Sequence, residues 1–269
     1  MIMSSSSASH PVALVTGASG AIGQAIAKQL AQKGFALYLI CRNSEKAKGV
    51  IQFIKKITRN NNVHALIADI SRRSSIFSLA ENWSQPVKIL INNAAIAPKQ
   101  REETAEGIER QWATNVLGQL WMSETFSKWM SKEEEPRIVN VASYWAGDLD
   151  LEDLEFKQRP YNNDLAYRQS KQANRMLTFA LASRLRERGI TINACHPGDV
   201  HSNLSHSLGF GGHETPDQGA ATPVWLATEE SLKNKTGKYF EHQQEMHCPF
   251  MRDIKSCEKL YEICQQYGG

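Results

Sequence analysis

Short apolar runs alternate with longer amphipathic stretches from residue 12 onward. The runs at 12–16, 36–40, 63–67, 87–91, 137–142 and 190–195 predict strands, and several are near-continuous in Val, Ile and Leu. Uninterrupted apolar strands belong in a parallel sheet covered on both faces. Helical spacing marks residues 22–33, 45–57, 74–83 and 165–188, and a pair of helices across 102–131. The rhythm implies right-handed βαβ crossovers. Beyond the sixth strand it breaks. Residues 201–215, with Gly209, Gly211 and Gly212, form an expected mobile loop, too long for an ordinary connection. A helix at 216–228, a short strand at 237–240 and a helix at 254–265 complete the prediction. The expected fold is a doubly wound α/β domain over 11–269, with a mainly parallel seven-stranded sheet and helices on both faces.

Length adds little to this picture, because 269 residues suit one α/β domain. The formal charge of +3 is too small for a nucleic-acid surface. No apolar stretch reaches the ~18–20 residues of a membrane span, and the Ser-rich residues 1–10 lack the basic and apolar regions of a signal peptide. A disordered lead-in and a cytoplasmic protein without a membrane anchor are expected. The five cysteines form no CxxC pair and read as reduced thiols. His242, His247 and Cys248 lack a fourth partner at metal spacing, so no metal is assigned.

Two places carry chemistry. Between the first strand and first helix stands Thr16-Gly17-Ala18-Ser19-Gly20-Ala21-Ile22-Gly23. Glycines there permit a tight turn and close approach to a pyrophosphate, with the helix N-terminus offering N–H groups to the anion. At the end of the second strand, where an NAD enzyme carries an acid for the ribose diol, the chain reads Cys41-Arg42-Asn43. Arg42 suits a 2′-phosphate, so NADP(H) is favoured. Further along, Tyr167 and Lys171 stand four apart on one helix face. A lysine ammonium there lowers a phenol's pKa. Ser143, just past the fifth strand, can hydrogen-bond a carbonyl oxygen.

Taken in order, these residues resemble the short-chain dehydrogenase/reductase superfamily over nearly the whole chain. Asp69 stands where the family has an adenine-contacting Asp. Asn92-Asn93-Ala94-Ala95 resembles the family's Asn-Asn-Ala-Gly segment, Asn115 the asparagine that anchors a proton-relay water, and Pro197-Gly198 the turn near the nicotinamide. The resemblance implies a catalytic set of Asn115, Ser143, Tyr167 and Lys171. It implies cofactor contacts from Gly17, Ser19, Gly20, Ala21, Ile22, Gly23, Arg42, Asn43, Asp69 and Ile70. Asn93, Ala94, Ala95, Tyr167, Lys171, Pro197, Gly198, Val200 and Ser202 are the other implied contacts. Ser143, Tyr144 and Trp145 are expected at the substrate, and His196 as a structural neighbour of the cofactor loop.

Finer features, among them Arg137-Ile138-Val139-Asn140-Val141 and Cys195-His196-Pro197-Gly198, resemble the retinol-dehydrogenase-like branch. So does the gap of 24 positions from Ser143 to Tyr167. Two departures stand out. Ala21 and Ala95 replace usual glycines, and glycines at 17, 20 and 23 match the spacing of the superfamily's extended members.

The expected reaction is NADPH-dependent reduction of an aldehyde, ketone or retinoid-like carbonyl, with Tyr167 as proton donor. An oxidising alcohol or steroid dehydrogenase uses the same residues. A non-catalytic NADP-sensing module competes less well, because the catalytic set is intact. The acidic residues 151–164 are expected to cover the middle helices, leaving a monomer or weak homodimer, and to wall a substrate pocket together with the 201–215 loop.

Overall fold

The computed structural model describes residues 10–267, so the predicted lead-in, apart from His10, lies outside the described residues. Among the described residues eight strands form one sheet in the order β3-β2-β1-β4-β5-β6-β7-β8. They are β1 (Val12–Thr16), β2 (Ala36–Cys41), β3 (Val63–Ile67), β4 (Ile89–Asn92), β5 (Arg137–Val141), β6 (Thr191–His196), β7 (Tyr239–Glu241) and β8 (Gln244–Met246). Every pairing is parallel except β7 with β8.

Alternation along each strand sends side chains to opposite cores. In β1, Ala13 and Val15 face the layer of α1 (Ala21–Gln32), α2 (Ser44–Thr58) and, later in the chain, the helix Pro216–Thr228. Val12 and Leu14 face the other layer, which contains α3 (Arg73–Glu81) and the middle helix. That middle helix is one element rather than the expected pair. It comprises α4 (Arg110–Trp112), a π-helical turn Ala113–Leu117 and α5 (Gly118–Phe126). The stretch before it is irregular, and Glu109 caps its start by accepting from the Gln111 and Trp112 N–H groups.

The longest helix, α6 (Asn163–Arg186), begins where the Asn162 side chain accepts from the Asp164 and Leu165 N–H groups. Beyond β6 come α7 (Asn203–Ser207), α8 (Pro216–Thr228) and α9 (Ile254–Gln265). Thr215 and Gln218 form a capping box that starts α8. No described helix is long and apolar enough to cross a membrane.

The seven-stranded expectation needs one correction. β8 doubles back on β7 through His242 and Gln243, both with positive φ (46° and 62°), as a two-residue type I′ hairpin requires. Its residues are all exposed and polar or Met, so no apolar alternation announces it.

Candidate functional site

The carboxyl ends of β1, β2 and β4 open into a cleft of ≈ 560 Å³, lined by Gly17, Ser19, Gly20, Ala21, Ile22, Gly23, Arg42 and Asn43. Ile70, Asn93, Ala94, Ala95 and Ser202 complete the predicted part of the lining. The glycines at 17 and 23 are steric necessities. Gly17 has φ +64°, and a Cβ there would lie 2.7 Å from the Ala94 Cα. A Cβ on Gly23 would meet the Gly17 carbonyl at 2.3 Å. The turn is also pinned from outside. Thr16 Oγ1 accepts from the Asn93 N–H at 2.9 Å and the Ala94 N–H at 3.1 Å, and Asn93 Nδ2 donates to the Thr16 carbonyl at 3.0 Å. The free N-terminus of α1 therefore faces a rigid, glycine-walled cradle suited to a dinucleotide's pyrophosphate.

At the far end of the cleft stand Arg42 and Lys46, and no carboxylate lines it among the described residues. Lys46 went unpredicted, although it stands four positions after Arg42 within α2. Asn43 lines the cleft while its Oδ1 accepts from the Lys46 N–H and caps α2. Asp69 is not among the lining residues. Its Oδ1 accepts from the Ser71 N–H and hydroxyl at 3.0 and 2.7 Å, while its neighbours Ala68 and Ile70 do line the cleft.

A smaller cavity of ≈ 60 Å³ adjoins the cleft, sharing Ile22, Asn93, Ala95, Ser202 and Leu204 with it. Into it converge Ser143, Tyr167 and Lys171, with Pro197, Gly198 and Val200 beside them. Tyr144 and Trp145 are also in the wall. Strand β5 delivers Ser143 at its end, and α6 delivers Tyr167 and Lys171 from successive turns. The Ser143 hydroxyl accepts from the Trp145 N–H at 3.1 Å.

The electrostatics differ from the simple expectation. Burial pushes Tyr167 up to about 12, partly offset by a hydrogen bond with Ser143, and Asp199 pushes the same way as burial. Burial also pushes Lys171 down to about 7. Its Nζ donates to the Val141 carbonyl at 3.0 Å and lies 5.4 Å from the Tyr167 ring centre. Desolvation thus sets the direction of the tyrosine's shift, and Lys171 is not among its causes. A pKa raised by burial favours the protonated phenol from which a proton donor starts.

Asn115 sits outside both cavities' linings, wholly buried within the π-helical turn. Its side chain clamps Ile96 from both sides, accepting from the Ile96 N–H and donating to the Ile96 carbonyl, each at 2.9 Å. Nδ2 also donates to Ser170 Oγ at 3.2 Å, on the catalytic helix between Tyr167 and Lys171. Asn92 runs a second buried amide chain, donating to Asn140 and Ser123, while Asn140 donates to Thr178 of α6. These bonds tie β4, β5, α5 and α6 into one frame.

Two expectations about the pocket walls divide. The 201–215 segment does form a wall, through Leu204, Leu208 and Phe210, with Phe210 packed edge-on to Trp145 at 5.5 Å. The segment 151–164 does not. It folds back over the start of α4, where Glu155 Oε2 accepts from the Glu109 N–H and Arg101 Nε donates to the Glu155 carbonyl. Its apolar members Leu154 and Phe156 are buried there, which draws it away from the pocket. His196 lines the pocket rather than merely flanking the cofactor turn.

Comparison with known proteins agrees with this architecture. Residues 11–209 match the family model for short chain dehydrogenases. Retinol dehydrogenase 13 of Homo sapiens is 31% identical over 269 residues, covering 92% of this chain and 81% of its own. Retinol dehydrogenase 11 of Homo sapiens is 35% identical over 243 residues, covering 85% and 76%. An uncharacterized protein from Mycobacterium Paratuberculosis superposes with a TM-score of 0.81 at 26% identity, covering 95% of this chain and 92% of its own. A short chain dehydrogenase from Burkholderia cenocepacia J2315, solved in complex with NADP, superposes with a TM-score of 0.68 at 25% identity, covering 86% and 95%. The chain belongs to the short-chain dehydrogenase family, on its retinol-dehydrogenase-like side.

Proposed function

We propose that the protein is an NADP(H)-dependent oxidoreductase that reduces an aldehyde, ketone or retinoid-like carbonyl to an alcohol, with residues 11–269 acting as one domain. One observation carries this reading: a buried Tyr167 and Ser143 line a pocket that adjoins the glycine-walled cleft and shares five of its residues. The NADP-bound relative supports the cofactor, as does a cleft lined by Arg42 and Lys46 without a carboxylate. Bound NADPH supplies the hydride.

The residues of this chain do the rest. Ser143 Oγ and the Tyr167 hydroxyl hold the substrate oxygen, and Tyr167 delivers a proton to it as negative charge develops. General acid catalysis of this kind contributes ~10²–10⁴ in rate. Lys171 is fixed one turn away through Val141 and is placed to hold the cofactor ribose and, as its ammonium, to stabilise the phenolate that develops as the proton leaves. Asn115 keeps the segment after β4 and the catalytic helix in register. Substrate admission requires the wall at Leu208 and Phe210 to move, since ≈ 60 Å³ is far below the ~300–1,000 Å³ of ordinary ligand sites. The segment 151–164 lying over the start of α4 supports a monomer or weak dimer, which light scattering at micromolar concentration tests.

The experiment is a comparison of wild type with Tyr167→Phe over a panel of aldehydes, ketones, quinones and retinoids. The variant is expected to keep NADPH binding and lose at least about a hundredfold in kcat. Near-normal turnover by the variant on an authentic substrate refutes the mechanism. Oxidation of the corresponding alcohols with NADP+ uses the same residues, and the kcat/KM values in the two directions decide between them.

A further inference from the structure

The wall of the small pocket contains a charge that the carbonyl chemistry does not use. Asp199 follows Pro197-Gly198 and lines the pocket together with Tyr144, Trp145, Tyr167, His196 and Phe210. Its backbone carbonyl is engaged by the His213 and Glu214 N–H groups at 2.8 and 3.0 Å, which anchors the residue while leaving its carboxylate out of that ladder. Among the described residues, the nearest basic atom to that carboxylate is His196 Nε2, at 4.0 Å. The imidazole brings no compensating charge. Its side chain is only 7% exposed, and burial, then His242, Arg175 and Lys171, push it down to about 3. His196 Nδ1 is buried without a hydrogen-bond partner among the described residues. A second carboxylate lies close by, since a Cβ on Gly198 would fall 1.8 Å from Glu214 Oε2.

The Asp199 side chain is 31% exposed in the free pocket; a bound substrate takes away that remaining water, which is costly unless a cation fills the space. Desolvated charge seeks an opposite charge, and aromatic rings attract cations through their negative faces. Tyr144 packs edge-on to His196 at 4.7 Å, and Trp145 to Phe210 at 5.5 Å, so ring surface shares the pocket wall with the carboxylate. A wholly apolar carbonyl compound would bury Asp199 without a partner. On the reading of this pocket as a carbonyl-reducing site, we infer that its substrates carry an ammonium group close to the carbonyl, held by Asp199 within the aromatic walls. Asp199 is then the residue that sets substrate class, and the site prefers amino ketones or amino aldehydes to neutral hydrocarbon carbonyls.

Two matched compounds test this. N-methylpiperidone is cationic near neutral pH, and methylcyclohexanone has the same shape without the charge. The ratio of their kcat/KM values is expected to favour the amine by about tenfold in wild type and to fall within about twofold in Asp199→Asn; tenfold corresponds to ~1.4 kcal/mol. Binding of the two corresponding alcohols to the protein saturated with NADP+, read by tryptophan fluorescence, is expected to show the same preference and the same loss without any turnover. Equal binding of the alcohols in wild type, or a preference that survives Asp199→Asn, overturns the inference. Equal losses for both compounds, with a changed ratio of NADP+ to NADPH affinity, overturn it too, because the carboxylate then acts on the nicotinamide. If the amine-selective binding appears but neither ketone is reduced, the inference stands and the carbonyl-reductase reading falls.

Discussion

Replacing Arg175 by Met should damage stability and turnover together while sparing the cofactor. Arg175 stands one further turn along α6 from Lys171, only 5% exposed. Its Nη2 donates to the Ser143 carbonyl and, at 2.7 Å, to the Tyr239 hydroxyl. That hydroxyl in turn donates to Glu241 Oε1 at 2.7 Å. The guanidinium carbon lies 3.6 Å from the Tyr239 ring centre. One side chain thus joins the end of β5, the catalytic helix and β7. Hydrogen bonds from a charged group contribute ~1.5–3 kcal/mol each, and the stacked cation adds ~0.5–2 kcal/mol. Against this, Met removes a buried cation whose desolvation is itself costly, and it keeps most of the volume. The balance is a loss of roughly 2–4 kcal/mol, overlapping the ~3–5 kcal/mol for removing one partner of a buried charged pair. It is measured as a lower urea midpoint at unchanged m-value. Ser143 loses the bond that fixes its backbone, and misplacement of a reacting group by ~1 Å costs about 10²-fold. We therefore expect kcat to fall ten- to a hundredfold, with NADPH affinity within about twofold and partial recovery in Arg175→Lys. A stability change below ~0.5 kcal/mol, or kcat within twofold of wild type, would refute this account of how Ser143 is held.

Three further expectations follow from the same geometry. Arg42→Ala should erase most of an NADPH-over-NADH preference of at least about tenfold, ~1.4 kcal/mol; fluorescence titration showing an unchanged preference would count against the assignment of the 2′-phosphate end. Gly17→Ala should cost ~1–3 kcal/mol in strain and weaken NADPH binding, because its φ of +64° and the Ala94 backbone leave no room for a Cβ; thermal unfolding and titration report both. Burial raises the Glu109 carboxyl from 4.5 to about 7. The folded state therefore holds this proton more tightly than the unfolded chain, and the stability it lends is complete below about pH 4.5 and lost as pH rises through about 7. Glu109→Gln should flatten that part of the stability profile, and an unaltered slope would show that another group controls it.

The sequence announces the parallel sheet because β1, β2 and β4 are covered on both faces and read as near-continuous apolar runs, with Ile138, Val139 and Val141 carrying β5. α8 and α9 are legible to the residue because a capping box with Pro216 starts one and Asp253 caps the other. The middle helix misleads. Glu109 hides its start, since a buried carboxylate serving as a cap is indistinguishable in sequence from the exposed acids around it. The glycine loop, Ser143, Tyr167 and Lys171 are recognisable because their spacing is set by the turn and by helical periodicity. Asp199, Leu208 and Phe210 carry no such periodic signal, as their place in the walls depends on how the segment after β6 folds back over the sheet, while Lys46 reaches the cleft from the first turn of α2. Asp69 stands between two residues that line the cleft, and its side chain closes a local turn with Ser71.

The most direct test of the central claim follows the hydride and the proton separately. NADPH carrying deuterium at the transferable position is incubated with wild type or Tyr167→Phe and a ketone that turns over, and the alcohol is analysed by mass spectrometry. The account predicts one deuterium on the carbinol carbon from wild type, and almost none over the same time from a variant that still binds NADPH. Alcohol formed without the label, or labelled alcohol from Tyr167→Phe at close to the wild-type rate, would contradict it.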